Sequence, residues 1–331
     1  MALSLSAEGI TYVKPHEWDV SVSYRFLHSE NIYVGDTERT DLTNPNGPRL
    51  DVHSVDVLLT YAFTPRFSAT VVLPFVHSDL SSVRDHADGM RHETSAGGLG
   101  DVRLVGNGWL FNPETSPNGN ISIGVGFKAP TGDDRVVDNY YTLTGVQLRP
   151  VDISGQPGDG GWGLVPEMQA FQRIFTNTFL YASGSYLMNP QEQNHTPAAY
   201  DRGGRLPAGG PNKAGPHEQF NSVPDQYQGR AGFSYVVWPE QGVALSLGAR
   251  IDGIPVRDII GGGDDGFRQA GFAISLDPGL VISRGRYTFS LGGPVALVRN
   301  EEQSVRDAKA GVRSFGGFAD FLIVASISRR F

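Results

Sequence analysis

Two His-Ser pairs are the first candidates for chemistry in this sequence: His53-Ser54 and His77-Ser78. A serine hydrolase needs a histidine base within hydrogen-bond reach of the serine hydroxyl. Both pairs lie in or beside segments where apolar and polar residues alternate, which predicts β-strands. Because neighbouring residues of a strand point to opposite faces, neither pair can form a nucleophile–base contact by itself. We predict no catalytic residues.

Acidic residues and histidines also cluster in two predicted loops, where they could bind a cation. One cluster is Asp85, His86, Asp88, His92 and Glu93, and the other is Asp264-Asp265 within the segment GGGDDG. Oxygen-rich loops that contain glycine can hold calcium, but the second segment lacks the spaced ligands of an EF-hand. Solvated loop polarity is the commoner explanation. We therefore predict no metal and no cofactor, and no Walker, zincin or dinucleotide motif is present.

The composition excludes several classes of protein. The chain has 331 residues, a net charge of −8, 42 glycines and no cysteine. Without cysteine there is no disulfide scaffold, thiolate zinc site or thiol catalysis. The acidic balance argues against nucleic-acid binding, which normally shows a basic patch. No apolar run approaches the ~18 residues of a membrane-spanning helix. No secretory signal is recognised, so an exported protein would be represented here by its mature form.

The strongest pattern along the chain is an alternation of period two, which marks strands with two chemically different faces. One face is apolar and aromatic, whereas the other carries serine, glycine and charge. About twelve strands are predicted, and an even number returns both ends of a barrel to the same side. They cover residues 18–26, 55–63, 67–75, 101–111, 121–128, 164–174, 179–188, 227–235, 243–252, 272–280, 287–297 and 319–331.

The predicted connections alternate between short and long. The short ones lie near 64–66, 112–120, 175–178, 238–242 and 283–286, and the long ones near 29–49, 77–98, 130–161, 189–224, 253–266 and 299–316. This order is typical of outer-membrane barrels, which have brief periplasmic turns and longer external loops. The predicted fold is all-β: a transmembrane antiparallel up-and-down β-barrel with short periplasmic turns and long extracellular loops. Residues 16–331 would form one barrel domain, preceded by a periplasmic segment at 1–15.

The polar faces of the strands indicate a hydrated lumen. A soluble sandwich would place many lysines and glutamates there. This chain instead places serine and glycine together with arginine and aspartate, so that the charges on these faces are of both signs. Mixed signs argue against strong selection for cations or anions, and each charge could contact a solute or form an internal ion pair. Gly124, Gly126, Gly232 and Gly248 are expected to leave space in the lumen. The predicted pore-lining residues are Arg25, Asp56, Asp101, Arg103, Lys128, Glu167, Arg173, Arg230, Arg250, Asp252, Asp277 and Asp320.

Aromatic residues cluster where the predicted strands meet the short turns. An amphipathic ring is favoured at the level of lipid headgroups, so these residues are expected to form a girdle on the outer wall. They are Trp18, Tyr61, Phe63, Phe67, Trp109, Phe111, Phe175, Phe179, Trp238 and Tyr287.

The C-terminal strand ends in Phe331, which resembles the C-terminal signature that bacterial barrels present to their assembly machinery. Four further segments resemble a family of bacterial outer-membrane transporters associated with the meta-pathway of phenol degradation. They are WDVSVSYRFLHS from Trp18, YAFTPRFSATVVLPFV from Tyr61, GLGDVRLVG from Gly98 and FKAPTGDD from Phe127. The segment from Ile251, IDGIPVRDIIGGGDDGFRQAG, is similar to a motif of related barrels. The resemblance implies passage of small molecules, aromatic ones included, across the outer membrane.

Together these patterns predict a passive channel or transporter for small solutes, aromatic or hydrophobic ones included, in the bacterial outer membrane. Its expected partners are outer-membrane lipid and lipopolysaccharide, the barrel assembly machinery through the C-terminal strand, and the solute; no nucleic acid is expected. Two alternatives stay open. One is an outer-membrane lipid-modifying enzyme of the lipase or lipid A deacylase type, and the other is a closed structural or adhesion barrel.

Overall fold

The computed structural model describes residues 5–6, 9–10, 12–43, 46–83, 85–142, 144–198, 219–261, 265–311 and 315–331. Twelve strands form a closed antiparallel wall, and each is paired with its neighbours in sequence. The first six are β1 (Trp18–Ser29), β2 (Arg49–Ala62), β3 (Phe67–Ser82), β4 (His92–Leu99 continued by Arg103–Trp109), β5 (Gly119–Lys128) and β6 (Gly163–Phe175). The others are β7 (Thr178–Leu187), β8 (Gln226–Trp238), β9 (Val243–Ile254), β10 (Ala270–Arg284), β11 (Tyr287–Gly292 continued by Val295–Glu302) and β12 (Phe321–Arg330).

The barrel closes where the last strand pairs with the first. The register of β12 on β1 runs from Phe321 opposite His28 to Arg330 opposite Asp19. Closure removes the unpaired strand edges that would otherwise expose backbone N–H and C=O groups. The predicted fold class and strand number are therefore confirmed.

One predicted loop is largely strand. Residues 77–98 were expected to form a long connection, but β3 continues to Ser82 and β4 begins at His92. The alternation continues there with polar residues on the outward face, including His77, Asp79 and Ser81. A pattern of apolar residues cannot detect a strand that is polar on its outer side, so the prediction ended too early.

Smaller elements lie mainly in the long connections. They are two helices at Thr40–Thr43 and Val305–Ala310, a 3₁₀ turn at Ile153–Gly155, and short strands at Leu5–Ser6, Gly9–Ile10, Ile32–Val34, Thr37–Glu38, Val137–Thr142, Gly145–Pro150, Gln193–Pro197, Phe220–Ser222 and Gly316–Gly317. No helix among the described residues is long and apolar enough to span a membrane.

An apolar cluster fills the lumen at the end of the short turns. Phe171, Phe179, Val236 and Ala244 are buried there, and Trp109 packs against them. Trp109 faces Ser122 in the register of β4 on β5, which places it on the inner face. The predicted girdle is thus wrong for Trp109 and Phe179, because strand parity turns both rings into the barrel.

Candidate functional site: the barrel lumen

Charged side chains from opposite walls meet inside the barrel in a group that we call the charged waist: Arg25, Asp56, Arg103, Arg250 and Asp252. Arg25 interacts electrostatically with the other four, although they lie on β2, β4 and β9. Its Nε donates to Ser54 Oγ at 3.1 Å. Arg250 holds Asp252 through two hydrogen bonds of 2.7 Å, from Nε and from Nη2. Such two-point contacts fix both the position and the plane of the guanidinium.

A second charged group lies on β7, β8 and β10. Arg230 Nη2 lies 2.8 Å from Asp277 Oδ2, and the Arg230 guanidinium stands 5.4 Å from the centre of the Tyr181 ring. Tyr181 and Asp277 are almost completely buried. A side chain on the inner face of the barrel is buried only when other side chains in the lumen cover it. The lumen is therefore closely packed at the level of Tyr181 and Asp277.

The lumen glycines make room for neighbouring side chains. A Cβ atom on Gly248 would lie 2.7 Å from Tyr181 Oη, and one on Gly232 would lie 2.8 Å from the same atom. At Gly124 a Cβ would meet the side chains of Asn107 and Glu167. The space that these glycines leave is taken up by larger residues from adjacent strands. At Gly126 the occupants are Val105 and Val165.

Part of the third long connection (residues 129–162) folds against the inner wall, at residues 151–160. Ser78 Oγ on β3 donates to the Gly155 carbonyl at 2.6 Å. Further along the same connection, Asp159 forms an ion pair with Lys128 of β5. Lys128 Nζ also lies 3.6 Å from Asp101 Oδ2, so two buried carboxylates share one ammonium. This loop narrows the lumen on the side of the long connections.

Burial of the Asp159 carboxyl makes the inward position of the loop sensitive to pH. Burial raises the pKa of the Asp159 carboxyl above its ordinary value; Lys128 opposes the rise and Asp101 adds to it. The inward loop therefore binds this proton more tightly than a released loop would. Its inward position is stabilised as the pH falls towards the raised pKa, and that stabilisation is lost as the pH rises through it.

We expect proteinase K to cleave residues 129–162 more slowly at about pH 4, close to the ordinary pKa of an aspartate, than at higher pH, with each rate divided by the rate for an unfolded substrate at the same pH. The variant Asp159→Asn carries no ionisable group at this position, and its cleavage should be slow and independent of pH. A matched variant, Asp133→Asn, changes an exposed carboxylate of the same loop and should keep the wild-type dependence. A wild-type rate that stays constant over this range would contradict the assignment.

The remaining predicted pore-lining residues lie apart from these groups. Arg173 is near the short turns, where its Nη1 donates to Asn118 Oδ1 at 3.2 Å and its guanidinium stands 5.1 Å from the Phe179 ring. Glu167 faces Gly124 in the register of β5 on β6. Asp320 lies at the opposite rim, 2.6 Å from Arg299 Nη2. The predicted set thus forms several groups at different heights.

Three residues of these groups were missed from sequence. Arg299 points inward because the register of β10 on β11 shifts between Ile274 and Ser275, which reverses the parity of the residues beyond it. Tyr181 lies in a strand with small residues on both faces, so its orientation could not be read from the alternation. Asp159 belongs to a loop. Its role is evident only in the folded structure, where Asp159 and Asp101 both lie beside Lys128.

Tyr12 closes part of the lumen at the short-turn end. Its ring packs edge-on against Trp109 at 5.0 Å between ring centres. Its hydroxyl donates to the Ser116 carbonyl at 3.3 Å and accepts from Asn120 Nδ2 at 3.2 Å. Tyr12 therefore enters the mouth of the barrel.

The His-Ser pairs are separated by the barrel wall, as their position in strands predicts. His53 faces outward, where a hydrogen bond of 2.8 Å joins its Nδ1 to Tyr24 Oη, whereas Ser54 faces inward to Arg25. Ser78 likewise lies on the inner face against Gly155. Neither pair brings a base to a hydroxyl.

The acidic and histidine-rich loops hold other loops in place. His92 Nε2 lies 2.7 Å from Asp88 Oδ2, and its ring stacks on Tyr141 at 3.7 Å between ring centres. Asp265 forms an ion pair with Arg306, which connects two neighbouring long connections. The prediction for Asp264 lies outside the described residues.

The outer wall is apolar over the height of the strands. Its exposed side chains include Val22, Val55, Leu104, Val125, Phe233, Leu247, Leu291 and Ile323. Below them, an exposed aromatic row follows the short turns, formed by Trp18, Phe63, Phe67, Phe111, Phe175, Trp238 and Tyr287. An apolar exterior around a charged interior reverses the arrangement of a soluble barrel and suits a lipid environment. The chain is a β-barrel of the bacterial outer-membrane class.

Comparison with solved structures agrees with this class. Over 96% of this chain and 97% of the other, the fold is similar to the crystal structure of the COG4313 outer membrane channel from Pseudomonas putida F1, with a TM-score of 0.61 and 13% identity. The P. putida toluene transporter TodX covers 96% of this chain and 90% of its own, with a TM-score of 0.44 and 9% identity. By sequence, neither a protein-family model nor a curated protein matches the chain.

Proposed function

We propose that the protein is a passive outer-membrane channel for small solutes. The observation that carries this proposal is the charged waist, in which groups from opposite walls meet inside a barrel that is apolar outside. Arg25 is exposed and Asp56, Arg103 and Asp252 are partly exposed inside the barrel, so the lumen is not filled at this level. An interior that only has to be filled is better served by apolar residues. A path for polar or ionic solutes gives these charges a role. The similar structure from P. putida is described as an outer membrane channel, which supports the proposal.

Aromatic solutes belong to the proposed range. Trp109 and Tyr12 are partly exposed at the mouth at the short-turn end, and their rings offer faces for stacking. The resemblance of the four sequence segments to the phenol-degradation family supports the same range of solutes. Membership of that family is a proposal that rests on these segments alone.

The arrangement of the chain in the envelope is proposed on similar grounds. Residues 1–15 would lie on the periplasmic side, with 16–331 as a single barrel, because short turns are periplasmic in barrels of this class. Phe331 N donates to the Trp18 carbonyl at 2.9 Å, so the C-terminal residue lies at the seam where β12 meets β1. Recognition by the assembly machinery would take place there, and lipid and lipopolysaccharide would surround the outer wall.

Single-channel recording in planar bilayers tests the channel. Purified wild-type protein should give discrete current steps, small ones because the lumen is closely packed. Absence of steps at every voltage, in protein that still shows heat-modifiable migration on gels, would contradict the open-pore proposal and favour a closed structural or adhesion barrel.

The enzymatic alternative has a separate test. Incubation of the same preparation with phospholipid and with lipid A should release no fatty acid. Release that disappears in His53→Ala or His77→Ala would favour a lipid-modifying enzyme over a channel.

A further inference from the structure

A cleft interrupts the apolar outer wall between β3, β4 and β5. Its volume is about 420 Å³, and its lining includes Arg66, Phe67, Gly106, Gly108, Ile123 and Val125. We call this cleft the Gly106–Gly108 groove. It lies outside the barrel and shares no residue with the charged waist.

The groove exists because two neighbouring outward positions of β4 have no side chain. The Phe67 ring lies over Gly108, where a Cβ would be 3.0 Å from its Cε1, whereas the floor at Gly106 is open, with no heavy atom closer than 4.0 Å to a Cβ there. In the register, Gly108 lies between Phe67 and Ile123, and Gly106 lies between Ala69 and Val125. The flanking residues Phe67, Ile123 and Val125 are more than half exposed and form the walls. Leu104 stands at the upper end of the floor, about 13 Å along the strand from Gly108 at ~3.3 Å per residue.

A cation stands at the lower end of the groove. Arg66 belongs to the short turn between β2 and β3, and its guanidinium is 5.9 Å from the centre of the Phe67 ring. Its Nε donates to the Trp109 carbonyl at 2.9 Å and its Nη2 to the Leu110 carbonyl at 2.8 Å. These two bonds fix the guanidinium but use only two of its five N–H donors. The group is therefore held in place with donors available on an exposed side.

We propose that the Gly106–Gly108 groove binds one glycerophospholipid of the inner leaflet, with an acyl chain against Gly106 and the Phe67 ring and the phosphate at Arg66. An apolar channel that opens to lipid and ends in a fixed guanidinium, at the level of the aromatic row, matches both parts of such a molecule. Arginine suits the phosphate because its planar fork can bind two oxygens at once. The proposal rests on the proposed orientation, in which short turns are periplasmic, and not on solute passage.

Native mass spectrometry of the intact barrel, released from neutral detergent in the presence of phosphatidylglycerol, tests the site. Wild type should retain one lipid. Arg66→Gln, which removes the cation, and Gly106→Leu, which fills the floor, should each weaken binding about fivefold or more. The nearest heavy atom to a Cβ on Gly106 is 4.0 Å away, so the leucine fits on the wall without a backbone clash.

Two matched controls carry the same changes elsewhere. Arg286→Gln removes an exposed cation from another short turn, and Ala231→Leu adds a leucine to an exposed outward position on β8. Both should bind phosphatidylglycerol as wild type does. Diacylglycerol with the same chains, which has no phosphate, should bind wild type more weakly.

Equal binding by wild type, Arg66→Gln and Gly106→Leu would overturn the proposal, and so would equal binding of diacylglycerol and phosphatidylglycerol to wild type. Conductance is measured independently in the same variants. A negative result for lipid binding therefore does not bear on the channel proposal. A negative result in conductance likewise does not bear on the lipid site.

Discussion

Replacement of Arg268 by methionine is expected to release the loops that follow β7 and β9. Arg268 and Asp258 have side chains that are both 1% exposed, and Arg268 Nη1 donates to Asp258 Oδ1 at 2.8 Å. Methionine fills a similar volume but leaves the Asp258 carboxylate buried without its cation. Removal of one partner of a buried ion pair costs about 3–5 kcal/mol.

The effect should spread to both loops because the pair belongs to a connected network. Asp258 Oδ1 also accepts from Asp225 N at 2.8 Å, and Asp225 accepts from Asn189 N at 2.7 Å and from Tyr186 Oη at 3.0 Å. Ser222 Oγ accepts from Arg268 Nη2 at 2.9 Å. In the described parts of these loops, the guanidinium of Arg268 joins Ser222 to Asp258, and the backbone hydrogen bond between Ser222 and Phe267 adds to this connection.

Digestion of the folded barrel by proteinase K measures the change. Cleavage through local opening follows the equilibrium population of the open form when closing is fast. A loss of about 3 kcal/mol should raise the cleavage rate in the two loops by about two orders of magnitude. The double variant Arg268→Met with Asp258→Asn should recover much of the protection, since asparagine can still accept from Asp225 N and the Asp258 charge that lost its partner is removed.

The exposed pair of Arg39 and Asp41 provides the control. Its hydrogen bonds are as short as 2.8 Å, yet the side chains are 42% and 61% exposed. Exposed ion pairs contribute little because water competes for both charges. Arg39→Gln should leave digestion unchanged, and an unchanged rate in Arg268→Met as well would show that the network does not hold the loops.

The barrel wall could be predicted from sequence because lipid imposes a simple rule on it. Every outward position over the height of the membrane must be apolar, so alternation located all twelve strands. The rule fails above that height, where outward positions such as His77 and Asp79 may be polar without cost, and β3 was predicted too short. It also fails at the register shift near Ser275, which changes the orientation of Arg299.

The lumen could be predicted only as a set of inward positions. The alternation placed Arg25, Asp56 and Arg250 on inner faces but contained no information on which charges meet across the barrel. That depends on strand stagger and barrel radius, which no local pattern encodes. The loop that brings Asp159 to Lys128 was beyond prediction for a related reason: its inward fold rests on single hydrogen bonds such as that of Ser78 to Gly155.

The largest functional effect is expected from opposite charge changes at the charged waist. Arg25→Gln removes a positive charge there, and Asp56→Asn removes a negative charge beside it. If ions pass through this level, the first variant should favour cations and the second should favour anions. Two unit charges about 4 Å apart interact by about 1 kcal/mol even in water. Opposite changes of that size should separate the cation-over-anion permeability ratios of the two variants by at least about tenfold.

Reversal potentials in planar bilayers under a salt gradient measure these ratios. Arg49→Gln is the matched control, because Arg49 is an exposed residue on the outward face of β2 and its loss changes the net charge equally. It should leave the reversal potential at the wild-type value. Heat-modifiable migration on gels verifies that each variant still forms a barrel.

The sign of the shift separates a path through the waist from a path around it. If only long-range charge mattered, Arg25→Gln and Arg49→Gln would shift the reversal potential by the same amount. If the current were a leak along the protein–lipid boundary, neither variant would shift it. Only passage beside Arg25 and Asp56 shifts the reversal potentials of the two lumen variants in opposite directions and leaves that of Arg49→Gln at the wild-type value. Currents that show no such opposition would remove the charged waist from the permeation path, and with it the observation that carries the proposed function.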